Sequence, residues 1–287
     1  MEQPRLLAVH AHADDETITM GGTMALCADR GVRVVNVCCT DGSLATIVDP
    51  EMAAREAEVR PRLAEIRREE LTRACRVLGV DEVHWLGYRD SGMAGAPTNS
   101  DAGAFWRADL DEVAGRLVAI IRSVRPHVVV TYDANGAYGH PDHVQAHRAT
   151  LLAVEAARVG DRYPDAGAPW TVSKIYYTAF PRSEAERIVA LAQAAGLPPP
   201  FGDTPIDELG FIADDAVVTT GVDVRTTIPR KLAALREHRS QIGPDFPMLL
   251  APEEVMVKEF SVEHFSLALT RVAGGARESD LFAGVAV

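Results

Sequence analysis

Leu6-Leu7-Ala8-Val9-His10-Ala11-His12-Ala13-Asp14-Asp15-Glu16 is the stretch whose reading decides the fold. Its first four residues form a short apolar strand. Its last seven crowd imidazoles and carboxylates into a loop, and Thr17 to Arg30 then reads as a helix ended by Gly31. A strand, a ligand-dense loop and a helix in this order open a β-α-β unit.

Working outward, the alternation continues for about 180 residues. Val32 to Cys39 is a β-rich run, and Arg62 to Leu78 has helical periodicity ending at Gly79. Val83 to Leu86 is a third strand, and Leu110 to Val124 is an amphipathic helix stopped before Pro126. His127 to Tyr132, with three consecutive valines, has the composition of a strand buried on both faces. His143 to Ala157 is helical and Lys174 to Phe180 is a strand. The pattern predicts an α/β fold with a doubly wound, Rossmann-like, mostly parallel sheet over residues 1–180. Residues 181–287 are expected to form a smaller, irregular α+β portion that completes the substrate cleft. There, Ser183 to Ala195 and Pro229 to Gln241 read as helices and Val217 to Val224 as a strand. Leu44 to Pro61 and Gly87 to Ala104 are loop-like, as the rim of a site is in this fold.

A second ligand-dense stretch, Tyr138-Gly139-His140-Pro141-Asp142-His143, follows the valine-rich strand. Open doubly wound sheets bind ligands beyond the carboxyl ends of strands where the strand order reverses. In a 3-2-1-4-5 order the first and fourth strands are neighbours at that reversal, so the two stretches would meet there. Two imidazoles and a carboxylate, His12, His143 and Asp15, are then a ligand set for a catalytic zinc with an open position. The same donors accept iron(II). Asp14 is the spare carboxylate placed to act as base. His140 or Tyr138 would stabilise an oxyanion, and Asp14 or His140 would return a proton to a leaving amine.

Each of these residues also has a plainer reading. Asp14, Asp15 and Glu16 favour a helix N-terminus through its dipole. His10 and His127 suit packing roles beside buried strands, and His147, one turn beyond His143, suits a supporting or surface role. His238 and His264, read as helical, default to structure. What sets the pattern apart is two ligand-dense loops at matching strand ends.

The formal net charge of -12 repels nucleic acid and anionic membrane, and also serves solubility. No apolar run of about 18 residues is present, so no membrane span is expected. Met1 to Arg5 lack the basic start of a secretory signal. Cys27, Cys38, Cys39 and Cys75 have no C-x-x-C spacing, and neighbouring Cys38 and Cys39 face opposite sides of a strand. Reduced, buried thiols in a cytoplasmic protein are the expectation. A small-molecule substrate is the expected partner. No G-x-G-x-x-G follows the first strand, since Gly21-Gly22 comes too late, which counts against a dinucleotide enzyme.

His12-Ala13-Asp14-Asp15-Glu16 and His140-Pro141-Asp142-His143 together resemble the paired signatures of the LmbE/PIG-L family of zinc-dependent N-deacetylases. The likeness runs over nearly the whole chain. It extends to Arg125–Asp133, Asp90-Ser91-Gly92, Pro169–Lys174, Ser240-Gln241 after His238, and Leu281–Gly284. Within the family the sequence is most similar to the mycothiol-pathway GlcNAc-inositol deacetylase and the mycothiol S-conjugate amidase. The resemblance implies zinc on His12, Asp15 and His143, with Asp14 as general base and His140 as oxyanion stabiliser or acid. It implies a mobile Tyr138 that polarises the carbonyl, and an Asp142 that orients or tunes His140. Arg67 and Asp90 match positions that hold sugar hydroxyls. The chain departs from the pattern at Ala13, where the family usually has Pro. It departs again at Ser43-Leu44-Ala45-Thr46, where the mycothiol enzymes carry acidic residues, and at Thr19, where the amidase has Lys. The resemblance therefore implies removal of an acyl group from a GlcNAc-type amine, in mycothiol-pathway or natural-product chemistry. Cleavage of a thiol conjugate and a non-catalytic metal-binding relative are the alternatives.

Overall fold

The computed structural model describes residues 2–196, 198–275 and 277–286. Three parallel strands build one side of the sheet: β1 (Arg5–His10), β2 (Arg33–Thr40) and β3 (Glu82–Tyr88). On the other side of β1 lie β4 (Val128–Thr131) and β5 (Lys174–Pro181), also parallel, and the two-residue β6 (Ile212–Ala213) pairs with the end of β5. Two later strands extend the same sheet, β7 (Thr220–Asp223) and β8 (Val262–Thr270), with β8 antiparallel to both its neighbours. The order is β3-β2-β1-β4-β5-β8-β7. The expected 3-2-1-4-5 core is therefore present, with β1 and β4 adjacent at the reversal.

The valines of β4 show why this sheet is buried. Val128 and Val130 pack into one core cluster and Val129 into the other. Alternate residues of a strand face opposite ways, so a run without polar interruption suits a strand covered on both sides. Full burial of each such side chain contributes roughly 1.5–3 kcal/mol. One cover holds α3 (Leu110–Val124) and α4 (Pro141–Ala157); the other holds α1 (Asp15–Asp29), α2 (Leu63–Leu78) and α6 (Ile228–Glu237). Two shorter helices are α5 (Arg182–Ala194) and α7 (Glu253–Glu259). The C-terminal stretch contributes to the same interior: Val222, Leu232 and Phe265 share a cluster with Leu6, Ala8 and Val34. Residues beyond 181 thus extend the sheet and share its core.

Several local readings change. His264 lies on β8 and not on a helix, where the buried Glu263 and Phe265 alternate with more exposed neighbours at the period of a strand. The strand expected at Val217 to Val224 is shortened to β7, preceded by a 3-10 turn at Asp215–Val217. Helix α6 ends at Glu237, three residues before Ser240. Helix α1 is broken at Met20 (φ -146°, ψ 18°). The break frees the N–H groups of Gly22 and Thr23, which donate to the buried Glu263 carboxylate of β8 at 2.9 and 2.7 Å. Lys231 neutralises that carboxylate at 2.6 Å. All four cysteines are free and buried, with Cys38 and Cys39 in different clusters. No helix among the described residues is long and apolar enough to cross a membrane.

Candidate metal centre

The loop leaving β1 and the first turn of α1 carry His12, Asp14 and Asp15, while the first turn of α4 carries Asp142 and His143. Two helix N-termini therefore converge where β1 and β4 end. His12 Nδ1 lies 3.1 Å from His143 Nε2, and Asp15 Oδ2 lies 3.4 Å from each. A tetrahedral zinc with bonds of about 2.0–2.1 Å sets its ligand atoms about 3.3–3.4 Å apart. The triangle fits that requirement in both chemistry and size. His140 is close enough to join a cluster with His12 and His143, but its Nδ1 is engaged as the cap of α4, accepting the Asp142 N–H at 3.1 Å.

The surroundings orient these donors. Asp142, fully buried, places Oδ2 3.3 Å from His12 Nε2 and accepts the Ser91 N–H at 2.9 Å and the Ser91 hydroxyl. Its carboxylate thus holds the ring of His12 so that Nδ1 faces the site, as carboxylates behind metal-binding imidazoles do. The expected partner of Asp142 is His140, yet His140 receives only its backbone N–H. The reason is the turn: with His140 capping the helix, the Asp142 side chain points back toward the β1 loop. Tyr132 donates its hydroxyl to Asp15 Oδ2 at 2.6 Å, accepts the Ala11 N–H at 2.7 Å, and stacks on His143 at 4.1 Å.

Electrostatics follow the burial. Burial alone would lower the pKa of His12, but Asp142 and Asp15 outweigh it and raise it to about 10. Burial, with the charge on His12 adding to it, pushes His143 down to about 3 despite Asp15. The metal-free pair therefore shares one proton, carried by His12. Asp15 is held well below the usual carboxylate range, burial being outweighed by His143 and His12. Burial lowers His140 too. With Nδ1 accepting, its neutral ring carries the proton on Nε2.

Asp14 is unlike its neighbours. Burial pushes its pKa up to about 6 against the pull of Arg67. Its backbone sits at φ 131°, ψ -32°, a region side-chain-bearing residues rarely enter, at a strain of about 1–3 kcal/mol. Arg67 and Asp90, expected at sugar hydroxyls, are each 3% exposed and bond to backbone groups of the surrounding loops. Arg67 donates Nη1 to Gly42 O at 2.9 Å and Nη2 to Ala13 O at 2.7 Å, and Nη2 lies 3.4 Å from Asp14 Oδ2. Gly42 (φ +60°) makes this approach feasible, since a Cβ there would fall 2.3 Å from Nη1. Asp90 accepts the Gly92 N–H at 2.8 Å and the Leu44 N–H at 3.3 Å, with Oδ1 3.9 Å from His12 Nε2. Tyr138, 43% exposed, stands at the mouth with its ring 5.0 Å from that of His143. It follows a tight turn in which Gly136 (φ +62°) has no room for a Cβ, because His143 Cβ would be 2.7 Å away.

A family model described as PIG-L, GlcNAc-PI de-N-acetylase, matches residues 7–154. A 1D-myo-inositol 2-acetamido-2-deoxy-alpha-D-glucopyranoside deacetylase of Acidothermus cellulolyticus is 45% identical over 98% of this chain and 95% of its own length. The chain belongs to the PIG-L family. Another PIG-L relative, the deacetylase of the same name from Thermobispora bispora, is 44% identical over 99% of this chain and all of its own. Among solved structures, N,N'-diacetylchitobiose deacetylase from Pyrococcus horikoshii matches with a TM-score of 0.61 at 24% identity, covering 93% of this chain and 84% of that one. The 4-carboxy-2-hydroxymuconate hydratase GalB from Pseudomonas putida matches with the same TM-score of 0.61 at 19% identity, covering 95% and 99%. At those identities the likeness shows the PIG-L fold alone.

Three residues of the site have no role on sequence grounds. Tyr132 reads as the end of a strand, yet its hydroxyl bonds a ligand candidate. Ser91 lies in a stretch that the family resemblance covers without giving it a task, and it fastens Asp142. Glu16 reads as one more acid at a helix start, whereas it is fully buried and bonds the Asp14 N–H. An acidic residue at the edge of an apolar face of α1 is the available signal.

Proposed function

We propose that this chain is a zinc-dependent hydrolase that removes an acyl group, acetyl in the first instance, from the amino-sugar nitrogen of a GlcNAc-type small molecule. The observation that carries this reading is the His12–Asp15–His143 triangle with a strained carboxylate outside it, Asp14, on the neighbouring residue. The 45% identity to a deacetylase of GlcNAc-inositol over nearly the full length supports the substrate class. When bound, zinc supplies Lewis acidity and brings the pKa of a coordinated water toward about 7.

The chain's own groups supply the rest. Asp14, ionised above about pH 6, takes the proton of the attacking water and is placed to return it to the leaving amine. His140 donates Nε2–H to the oxyanion as the carbonyl carbon becomes tetrahedral. Tyr138, raised above the ordinary phenol range by burial, stays protonated and offers a second donor at the mouth. Asp142 keeps His12 aimed, and Arg67 and Asp90, bonded to Gly42, Ala13, Leu44 and Gly92, set the loops beside which the sugar would lie.

The test is direct. Metal-replete protein should release acetate from GlcNAc-inositol and stop when chelated. Asp14→Asn should keep its zinc by elemental analysis yet lose about 10²–10⁴-fold in turnover. Full turnover in that variant, or none in the replete wild type on any N-acetylated glucosamine, would overturn the reading.

A further inference from the structure

We propose that Glu16 and His238 are positioning residues for Asp14, so that the C-terminal portion of the chain sets the base; the inference rests on the reading of Asp14 given above. The peptide unit joining Ala13 to Asp14 is gripped at both ends. Its carbonyl, on Ala13, accepts Arg67 Nη2 at 2.7 Å, and its N–H, on Asp14, donates to Glu16 Oε2 at 3.2 Å. Fixing that plane fixes the unusual φ of Asp14 and hence where its carboxylate goes.

Both grips are anchored on one distant segment. Glu16 Oε1 lies 3.3 Å from His238 Nε2, which is also 3.1 Å from Thr17 Oγ1, and His238 and Glu16 are fully buried. Two residues on, Ser240 donates its N–H at 2.8 Å and its hydroxyl at 2.6 Å to Glu70. Glu70 is on α2, three residues beyond Arg67. So His238 steadies the acceptor of the Asp14 N–H, and Ser240 steadies the helix that carries the other grip.

A purely structural account leaves the charges unexplained. A buried ion pair is weak evidence for stability, since apolar residues of similar volume often serve as well. An apolar residue at position 16 would leave the Asp14 N–H without its acceptor. The assignment also gives a task to the Ser240-Gln241 segment after His238, which the reaction itself does not use.

Three variants test this. Glu16→Met removes the acceptor and leaves a neutral imidazole on Thr17. Glu16→Gln keeps an acceptor. Glu16→Gln/His238→Leu keeps the acceptor but removes its anchor on the distant segment, leaving only the Thr17 hydroxyl, which donates to Glu16 Oε1 in the wild type, and strands no buried charge. Each is loaded with cobalt(II), whose absorption spectrum reports the ligand set, and assayed for kcat and KM on GlcNAc-inositol. Misplacement of a reacting group by about 1 Å costs up to roughly 100-fold. Glu16→Met should lose about 10–100-fold in kcat, Glu16→Gln should stay within about threefold, and the double variant should lose about tenfold. KM and the cobalt spectrum should not move. Wild-type kcat in a folded Glu16→Met or double variant overturns the proposal, as does a kcat loss matched by loss of the cobalt spectrum. If Glu16→Met does not fold, the double variant decides alone. An inactive wild-type protein would instead bring down the reading of Asp14 as base, and this inference with it.

Discussion

Zinc and a proton should compete for the same place in this protein. In the metal-free site His12 Nδ1 is 3.1 Å from His143 Nε2, and His12 carries the shared proton with a pKa of about 10. At pH 7 that imidazole is almost wholly protonated, so loading the metal must expel about one proton. Between pH 7 and 9 the apparent affinity should rise about tenfold per unit, or about 1.4 kcal/mol. A histidine at its ordinary pKa of about 6.5 would give a nearly flat profile there. Deprotonation of a coordinated water adds its own slope, and Asp142→Asn separates the two. That substitution removes the carboxylate 3.3 Å from His12 Nε2 and leaves the open position alone. It should weaken binding about 10–100-fold, as loss of such a supporting carboxylate does, and flatten the profile. The assay is chelator competition at several pH values, with calorimetry in buffers of different ionisation enthalpy to count protons. Equal slopes and equal proton counts in the two proteins would refute the argument. The same shift makes the metal-free fold pH-dependent. Because the folded pKa is raised, its contribution is complete below about 6.5 and is lost as pH rises toward about 10.

Tyr132→Phe removes the hydroxyl that donates to Asp15 at 2.6 Å, and zinc affinity should fall about 10–100-fold with the fold intact; unchanged affinity in the same competition assay would exclude a supporting role. The acid limb of kcat/KM should lie at or below about pH 6, because Asp14 must be ionised to act and a bound cation only lowers its pKa; a limb above pH 7 would point to another base. Arg122, buried, donates to the carbonyls of Ala156, Ala157, Val159, Arg162, Tyr163 and Gly167 and has no carboxylate partner among the described residues. Arg122→Met strands those acceptors and should cost about 3–5 kcal/mol, given roughly 1.5–3 kcal/mol for each bond to a charged group and incomplete additivity. Urea denaturation would read it, and a loss below about 1 kcal/mol would show that water replaces the guanidinium.

How much is legible in the sequence depends on range. The β-α alternation and the two ligand-dense loops are local patterns, and the reversal of strand order alone brings the loops together. Helix α3 is legible to the residue because Asp109 caps it, accepting the N–H groups of Asp111 and Glu112, and Pro126 follows it. The break at Met20 is not legible, because its compensation comes from Glu263 on a strand more than 200 residues later. For the same reason β8 is hidden: a buried glutamate interrupts an otherwise regular apolar alternation. The side-chain contact of Asp142 is not legible, because spacing within one loop points to a neighbour, His140, on which its charge does act, whereas the contact with His12 exists only once both loops have met.

The charges around the centre explain why a cation belongs there at all. Asp14, Asp15, Asp90 and Asp142 are largely buried within one small volume, and the cations beside them are Arg67 and protonated His12. Two negative charges stand in excess, in a region where carboxylates are poorly solvated. Exchange of the His12 proton for a divalent ion removes one of them. The elements that dictate that exchange are a carboxylate behind His12, a hydroxyl on Asp15, and a gripped peptide that leaves Asp14 beside the ligands without joining them. A site meant only to hold a metal would have no use for that last feature, because the strain at Asp14 adds nothing to ligation, whereas the base role proposed for it gives that strain a use.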